Sequence, residues 1–238
     1  MNKKLKFGCI IPSGNNYTEP DFYSLSQKDI GIYATRIFIE NITPEELKKM
    51  GGYTEEAAKL LTNVNADIIL FACTTGSLVE GVDWEENLKK RITKITKLPA
   101  ITTSGSIINA LKVLNAKKII VFTPYSEELN QREKVFFENM NYEVLEIKGL
   151  GIIENSKIAA VTTETIYKNC IDMFQRNLDA EALFISCTNL DTIDIIDKIE
   201  KEIDIPVITS NQASYWNLLR ACGDDRKIEG IGRLLEQF

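Results

Sequence analysis

Two cysteines in this chain stand where an apolar run gives way to small polar residues: Cys73 in FACTTGS (71–77) and Cys187 in FISCTNL (184–190). An ionised thiol in such a place is a nucleophile, and a protonated one can hand a proton to carbon. Thr74, Thr75, Gly76 and Ser77 read as a helix N-terminus, whose unpaired N–H groups favour a thiolate. Cys187 has the same kind of context, with Thr188 and Asn189 supplying hydroxyl and amide donors. A free cysteine usually serves as a small buried hydrophobe, and a duplication can keep a packing cysteine in both copies. The recurrence of cysteine at matched strand ends favours chemistry over packing.

The chain has no histidine. That excludes Ser-His-Asp and Cys-His catalysis and any histidine-ligated metal, leaving proton transfer to carboxylates, lysines, tyrosines or thiols. There is no CxxC pair either, so no zinc site is expected. Cys9, inside a strand, and Cys170 and Cys222, in helical stretches, read as packing residues. Asn15 and Asn16 follow Pro12-Ser13-Gly14, where a polar turn would look the same. Tyr125, after Thr123-Pro124, is either a buried aromatic or a phenol donor to a carboxylate. Asn155 in GIIENSKI is either a helix cap or a site amide. SNQASYW (210–216) reads as a polar turn leading into a helix, with packing the expected role of Trp216.

The elements that must position these residues are written twice. ADIILFACT (66–74) matches AEALFISCT (180–188), with the cysteines 114 residues apart (187 − 73). LPAITTS (98–104) matches IPVITSN (205–211) at a proline offset of 107 (206 − 99). GCIIPSGNN (8–16) matches IIVFTPYSEELN (119–130) at an offset of 112 (124 − 12). Three matches in one order indicate two copies of one α/β unit. Strands are expected at 7–11, 33–38, 68–71 and 100–102, then at 118–122, 143–147, 183–186 and 207–209. Amphipathic helices lie between them, for example at 44–50, 55–63 and 193–202, the first announced by Thr43 as N-cap before Pro44. Continuous apolar strands separated by helices imply a parallel sheet covered on both faces. The fold class is therefore α/β, with two pseudo-symmetric parallel-sheet subdomains, 1–114 carrying Cys73 and 115–238 carrying Cys187. The C-terminal helices are candidates to pack back on the first half. Ligands of such sheets sit beyond the strand carboxyl ends, where all the repeated polar motifs lie. The site is thus expected in the crevice between the halves, with both thiols facing one pocket near the pseudo-two-fold axis.

At 238 residues the chain can bury a sizeable core. A net charge of −6 and the lack of a basic stripe argue against nucleic-acid or anionic-membrane partners; Lys3, Lys4 and Lys6 read as the solvated end of a strand. No apolar run nears the roughly 20 residues of a membrane helix, and the apolar run 7–11 is too short for a secretory signal. Together with five widely spaced cysteines, this leads to an expectation of a cytoplasmic protein without disulfides.

Taken together, PSGNNYTEP (12–20), RIFIENITPEEL (36–47), FACTTGSLVEG (71–81), FTPYSEELN (122–130), FISCTNLDT (184–192) and PVITSNQASYWNLLR (206–220) resemble the aspartate/glutamate racemase superfamily. The resemblance is to its branch of maleate cis-trans isomerases, arylmalonate decarboxylases and ectoine-utilisation proteins. It implies two α/β subdomains around a crevice, no cofactor, a small dicarboxylate as ligand, and one catalytic cysteine from each half. Cys73 corresponds to the nucleophile and Cys187 to the proton-transfer partner. Asn15, Tyr125 and Asn155 correspond to substrate-binding residues, and Thr74, Thr75 and Thr188 add donors beside the thiols. Arylmalonate decarboxylases carry glycine in place of Cys73, and amino-acid racemases commonly carry histidine where this chain has Asn189. Both departures favour an isomerase, maleate to fumarate. An Asp/Glu- or hydantoin-type racemase is the alternative, with an arylmalonate-type decarboxylase or a non-catalytic small-acid binder behind it; homo-oligomerisation stays open.

The two thiols need different environments if one is to ionise while the other holds a proton. Asp191, four residues beyond Cys187, would disfavour a thiolate there if it pointed inward. Limiting iodoacetamide at neutral pH is therefore expected to label Cys73 before Cys187, with a competing dicarboxylate protecting Cys73. Peptide mass spectrometry showing Cys187 labelled first would reverse the two roles.

Overall fold

The computed structural model describes residues 4–238; Lys3 of the basic run lies outside them. Every strand pairing is parallel, and the strands form two four-stranded sheets of identical order, β2-β1-β3-β4 and β6-β5-β7-β8. The first contains β1 (Leu5–Pro12), α1 (Thr18–Leu25), β2 (Ile30–Ile37), α2 (Pro44–Gly51), α3 (Thr54–Thr62), β3 (Ile68–Phe71), α4 (Thr74–Leu78), α5 (Val82–Thr96), β4 (Ala100–Thr102) and α6 (Thr103–Val113). The second contains β5 (Lys118–Thr123), α7 (Glu127–Asn139), β6 (Glu143–Gly149), α8 (Asn155–Ile158), α9 (Thr163–Arg176), β7 (Ala182–Ile185), α10 (Ile196–Ile203), β8 (Val207–Thr209), α11 (Ser210–Ala221) and α12 (Gly232–Gln237). The sheets repeat because the sequence repeats, each copy placing its first and third strands at the sheet centre.

β3, β7 and β8 are buried along their whole length, as their unbroken apolar runs require. Thr43 caps α2 by accepting from the Glu46 N–H, and Pro44 occupies the first turn. Some boundaries differ from the expected ones. β2 starts three residues early, at Ile30, and stops before Phe38, because it pairs residue by residue with β1 from Leu5↔Ile30 to Pro12↔Ile37. Phe38, expected inside that strand, is 75% exposed beyond its end. Ser186 falls outside β7. The expected 193–202 helix begins as a single 3₁₀ turn, Ile193–Ile195, before α10. Lys6 is not merely solvated: its ammonium donates to the Val64 carbonyl at 2.9 Å.

The two halves meet through α6 and α11, each the helix after the last strand of its sheet. The contact is polar as well as apolar: Ser214 donates to Thr103 (3.1 Å) and Asn217 to Ser106 (3.0 Å). Tyr215 on α11 reaches α1, stacking edge-on to Phe22 with ring centroids 5.4 Å apart. Its hydroxyl donates to the Leu25 carbonyl at 3.2 Å and lies 3.0 Å from Ser26 Oγ. No helix among the described residues is long and apolar enough to cross a membrane.

Tyr215→Phe would keep the ring contacts and strip the buried Leu25 carbonyl of its side-chain donor. It is expected to lower unfolding stability by about 1–2 kcal/mol, read as a fall in urea midpoint at unchanged slope.

Candidate active site

Cys73 lies just past the end of β3 and caps α4, its sulfur accepting the Gly76 N–H at 3.4 Å. Glycine suits position 76 because the space there is tight. A Cβ would come within 2.6 Å of Met50 Cε and 3.0 Å of the Cys73 sulfur. The helix is only five residues long, so the expected help from a helix dipole reduces to this one N–H and the Thr75 hydroxyl. Burial drives the thiol pKa up to about 11, and these two donors hold it back from rising further.

Cys187 follows β7 and Ser186, but no helix begins at this second cysteine. The expected likeness of context fails in the backbone: Cys187 has φ 129°, a region that favours glycine and carries strain in any other residue. Its N–H donates to Ser210 Oγ at 3.0 Å, and its sulfur accepts the Asn189 N–H at 3.3 Å. Ser210 Oγ also accepts from Thr74 Oγ1 at 2.8 Å. One serine at the start of α11 therefore joins the residue after the first cysteine to the backbone of the second.

The thiols share one neighbourhood. The Tyr125 phenol stabilises a Cys187 thiolate as a hydrogen-bond donor, and the charges of Cys187 and Cys73 both act on the phenol. The Cys73 charge also acts on Cys187, and burial, chiefly, together with this repulsion lifts Cys187 to about 12. Both cysteines are nearly closed off, 5% and 8% exposed, among polar rather than purely apolar neighbours. Asp191 is not what disfavours a thiolate at Cys187; its charge falls on Tyr17 and Asp21 instead. The carboxylate that acts on Cys187 is Glu133 of α7.

The remaining expected donors divide into committed and spare. Asn15 uses both amide hydrogens on Thr188, the carbonyl at 2.9 Å and the hydroxyl at 3.0 Å, and its oxygen accepts from the Tyr17 and Thr18 N–H groups. Thr74 is taken up by Ser210, and Thr188 donates to the Ala72 carbonyl at 3.4 Å. Asn155 is buried, and its Nδ2 has no partner. A Cβ on Gly14 would come within 2.8 Å of that nitrogen, so glycine leaves the spare donor its room. Asn189 ties the loops together, donating to the Gly14 and Asn155 carbonyls and to Asn155 Oδ1. The segment after β2 and the segment before α8 also join edge to edge. Ile42 N–H donates to Ile153 O (2.8 Å), Asn155 N–H to Glu40 O (3.1 Å), and Asn41 bridges Glu154.

Sequence reasoning missed Ser210, Glu133 and Asp21. Ser210 was legible as the counterpart of Thr103 at the strand-end offset of 107. Glu133 and Asp21 were legible as carboxylates on otherwise buried stripes, Leu129–Phe136–Phe137 on α7 and Thr18–Phe22–Leu25 on α1. Arg36, outside the loops, braces one of them by donating to the Ser13 and Asn15 carbonyls. No Cys/Asp/Glu cluster suited to a metal occurs among the described residues.

Burial pushes Asp21 up to about 7 and Glu133 up to about 8. A carboxyl with a raised folded-state pKa binds its proton more tightly when folded. Its contribution is fully present below the ordinary value and lost as pH rises through the folded one. Asp29, Glu55 and Asp224 shift the opposite way through hydrogen bonds to arginines, so their contribution is lost only in acid. The melting temperature is therefore expected to be higher at about pH 5.5 than at about pH 8.5. Scanning calorimetry giving a flat or rising profile across that window would contradict the burial of two protonated carboxyls.

Comparison with known proteins bears on this geometry. The chain is 26% identical over 231 residues to an arylmalonate decarboxylase of Bordetella bronchiseptica, covering 97% of this chain and 96% of that one. It is 23% identical over 248 residues to a maleate isomerase of Geobacillus stearothermophilus, covering 99% and 98%. Its fold matches that of a Nocardia farcinica maleate cis-trans isomerase, a cysteine-to-serine mutant with a covalently bound succinylcysteine intermediate. That match has a TM-score of 0.91 at 20% identity, over 98% of this chain and 99% of that one. The arylmalonate decarboxylase family model matches residues 7–235, and the chain belongs to that family.

Proposed function

We propose that this protein is a cofactor-independent isomerase of a small unsaturated dicarboxylate, converting maleate to fumarate in the cytoplasm. The halves 1–114 and 115–238 each contribute one thiol. The observation that carries this reading is the pair of buried cysteines from pseudo-equivalent strand ends, joined through Ser210 and sharing Tyr125. Similarity to maleate isomerases, one of which holds a succinylcysteine, supports the same chemistry.

In this reading the Cys73 thiolate adds to one alkene carbon of maleate, forming a C–S bond while the π electrons move onto the neighbouring carbon and its carboxylate. The Cys187 thiol protonates that carbon, leaving a succinyl thioether on Cys73 and a thiolate on Cys187. Rotation about the new single bond follows. The Cys187 thiolate then removes a proton from the same carbon, and the C–S bond breaks to return the Cys73 thiolate and release fumarate. Protons and electrons balance, and nothing is consumed.

The thiols suit these roles unequally. Cys73 is stabilised as an anion by Gly76 N–H and Thr75 and feels no carboxylate, whereas Cys187 faces Glu133. The spare Nδ2 of Asn155 is the donor offered to a substrate carboxylate from the start, joined by the Thr75 hydroxyl once Cys73 is a thioether and by the Tyr125 phenol while Cys187 is a thiol. Each hydrogen bond to a charged group is worth roughly 1.5–3 kcal/mol, so neutral donors are adequate. Asn15, Thr74 and Thr188 hold the two cysteine loops in place, their hydrogen bonds being used within the protein.

Decarboxylation of an arylmalonate is the second reading, favoured by the family model itself, but a nucleophilic thiol at Cys73 has no task in simple loss of carbon dioxide. An assay panel of maleate, citraconate, an arylmalonate and aspartate separates these readings by product. Cys73→Ala and Cys73→Ser are expected to lower maleate turnover by about a thousandfold or more, with circular dichroism unchanged. Near-normal turnover by Cys73→Ala would refute the mechanism.

A further inference from the structure

Glu133 is fully buried, and neither of its carboxyl oxygens has a hydrogen-bond partner. Ser186 Oγ is likewise buried without one. The two face each other: the hydroxyl is near enough to favour the carboxylate but lies outside hydrogen-bond geometry. Ser186 immediately precedes Cys187. On the other side, the Glu133 charge acts on both Tyr125 and Cys187, and it is absent from the influences on Cys73.

The duplicated chain supplies a control for this residue. Glu133 lies 112 residues after Asp21 (133 − 21), the offset that also relates Pro124 to Pro12. Both carboxyls sit on the buried face of the first helix of their half. Asp21 is partnered, accepting from Asn211 Nδ2 at 2.6 Å, and so ties α1 to α11. Glu133 has kept the position and lost the partner. An uncompensated buried carboxyl is costly, and one beside a reacting thiol calls for a reason.

We propose that Glu133 is a positioning residue that makes Cys187 the proton carrier of the pair: neutral, it lets the Cys187 thiolate form during turnover, and ionised, it holds that sulfur as a thiol. Because the carboxyl acts on one sulfur only, it breaks the symmetry that duplication imposed on the two cysteines. Other charged groups near α7 are engaged elsewhere. Arg132 pairs with Glu128 and Glu80 on the outer face, and Glu146 of β6 pairs with Arg176 at the surface. α4, which also packs on α7, carries no charged residue. The groups that face Glu133 are thus Ser186, Cys187 and Tyr125, with Cys73 one step removed. Burial puts the Glu133 transition at about 8, inside the range where thiol chemistry can be followed.

The proposal refines the two-thiol reading above, but its test needs no substrate. In the full-length protein, iodoacetamide labelling of each cysteine is followed by peptide mass spectrometry from about pH 6 to about pH 10. A thiol well below its pKa labels about tenfold faster per pH unit. Cys73 is expected to follow that slope, whereas Cys187 flattens through about pH 8 as Glu133 ionises. Glu133→Gln, a neutral isostere, is expected to straighten the Cys187 profile and raise its rate at about pH 9 by about threefold or more. The alkaline limb of kcat with maleate should move up in parallel. A straight Cys187 profile in the wild-type protein overturns the proposal even if the variant does not fold. So does an unchanged Cys187 rate in a folded Glu133→Gln protein. The bend without any isomerase activity would sink the proposed substrate and leave this role of Glu133 standing.

Discussion

One backbone oxygen, that of Thr188, accepts from Asn15 Nδ2 at 2.9 Å and Asn211 Nδ2 at 3.1 Å, with Thr18 Oγ1 a weaker third donor at 3.4 Å. Two of these donors come from the first half and one from the second. The oxygen belongs to the residue after Cys187, whose φ of 129° a cysteine does not adopt unless the surroundings impose it. Ser186 N–H on Phe122 O, Cys187 N–H on Ser210 and Asn189 N–H on the sulfur fix the loop from its other sides. The second cysteine therefore exists in its working orientation only when both halves are folded and docked. Strain at the site and adhesion between the halves are one arrangement.

This explains why the interface between the halves is so polar. Thr18, Thr103, Ser106, Ser210, Asn211, Ser214 and Asn217 are all buried there, and each has a hydrogen-bond partner. Apolar residues of like size would hold the halves together without directional constraint. Hydrogen bonds to buried groups are costly to leave unmade, so they specify one register between the two sheets. Register matters because the sulfurs sit on different halves, and a slip would separate them from Tyr125.

Gene-level duplication gives two similar loops, yet isomerisation needs two unlike thiols. The divergence lies in what surrounds the cysteines. The first is a one-turn helix cap eased by Gly76 and Thr75. The second is a strained turn watched by a buried carboxyl. Both are lifted by burial, but the second also bears the charges of Cys73 and Glu133. Desolvation alone would treat the two sulfurs equally; the specific neighbours decide which ionises first.

Much of this was legible in the sequence. Apolar runs at 68–71 and 207–209 coincide with β3 and β8 because a strand buried on both faces has little freedom to be polar. The repeat offsets marked both cysteines as strand-end residues, and the absence of histidine narrowed proton transfer to thiols, carboxyls, lysines and phenols. The stretch at 33–38 misjudged β2 because a strand's ends are set by the neighbour it pairs with, here β1. The partner of each polar group was also beyond local reading. Asn15 and Thr188 are 173 residues apart, Thr74 and Ser210 136 apart. Glu133 gave a local sign as a carboxylate on an apolar stripe, but only the packing of α7 shows which sulfur it faces. Sequence determined the repeated sheets and the two thiols, since periodicity and composition are local. The docking of the halves decided which donors remain free and which thiol is the more acidic, since both depend on groups brought together only in three dimensions.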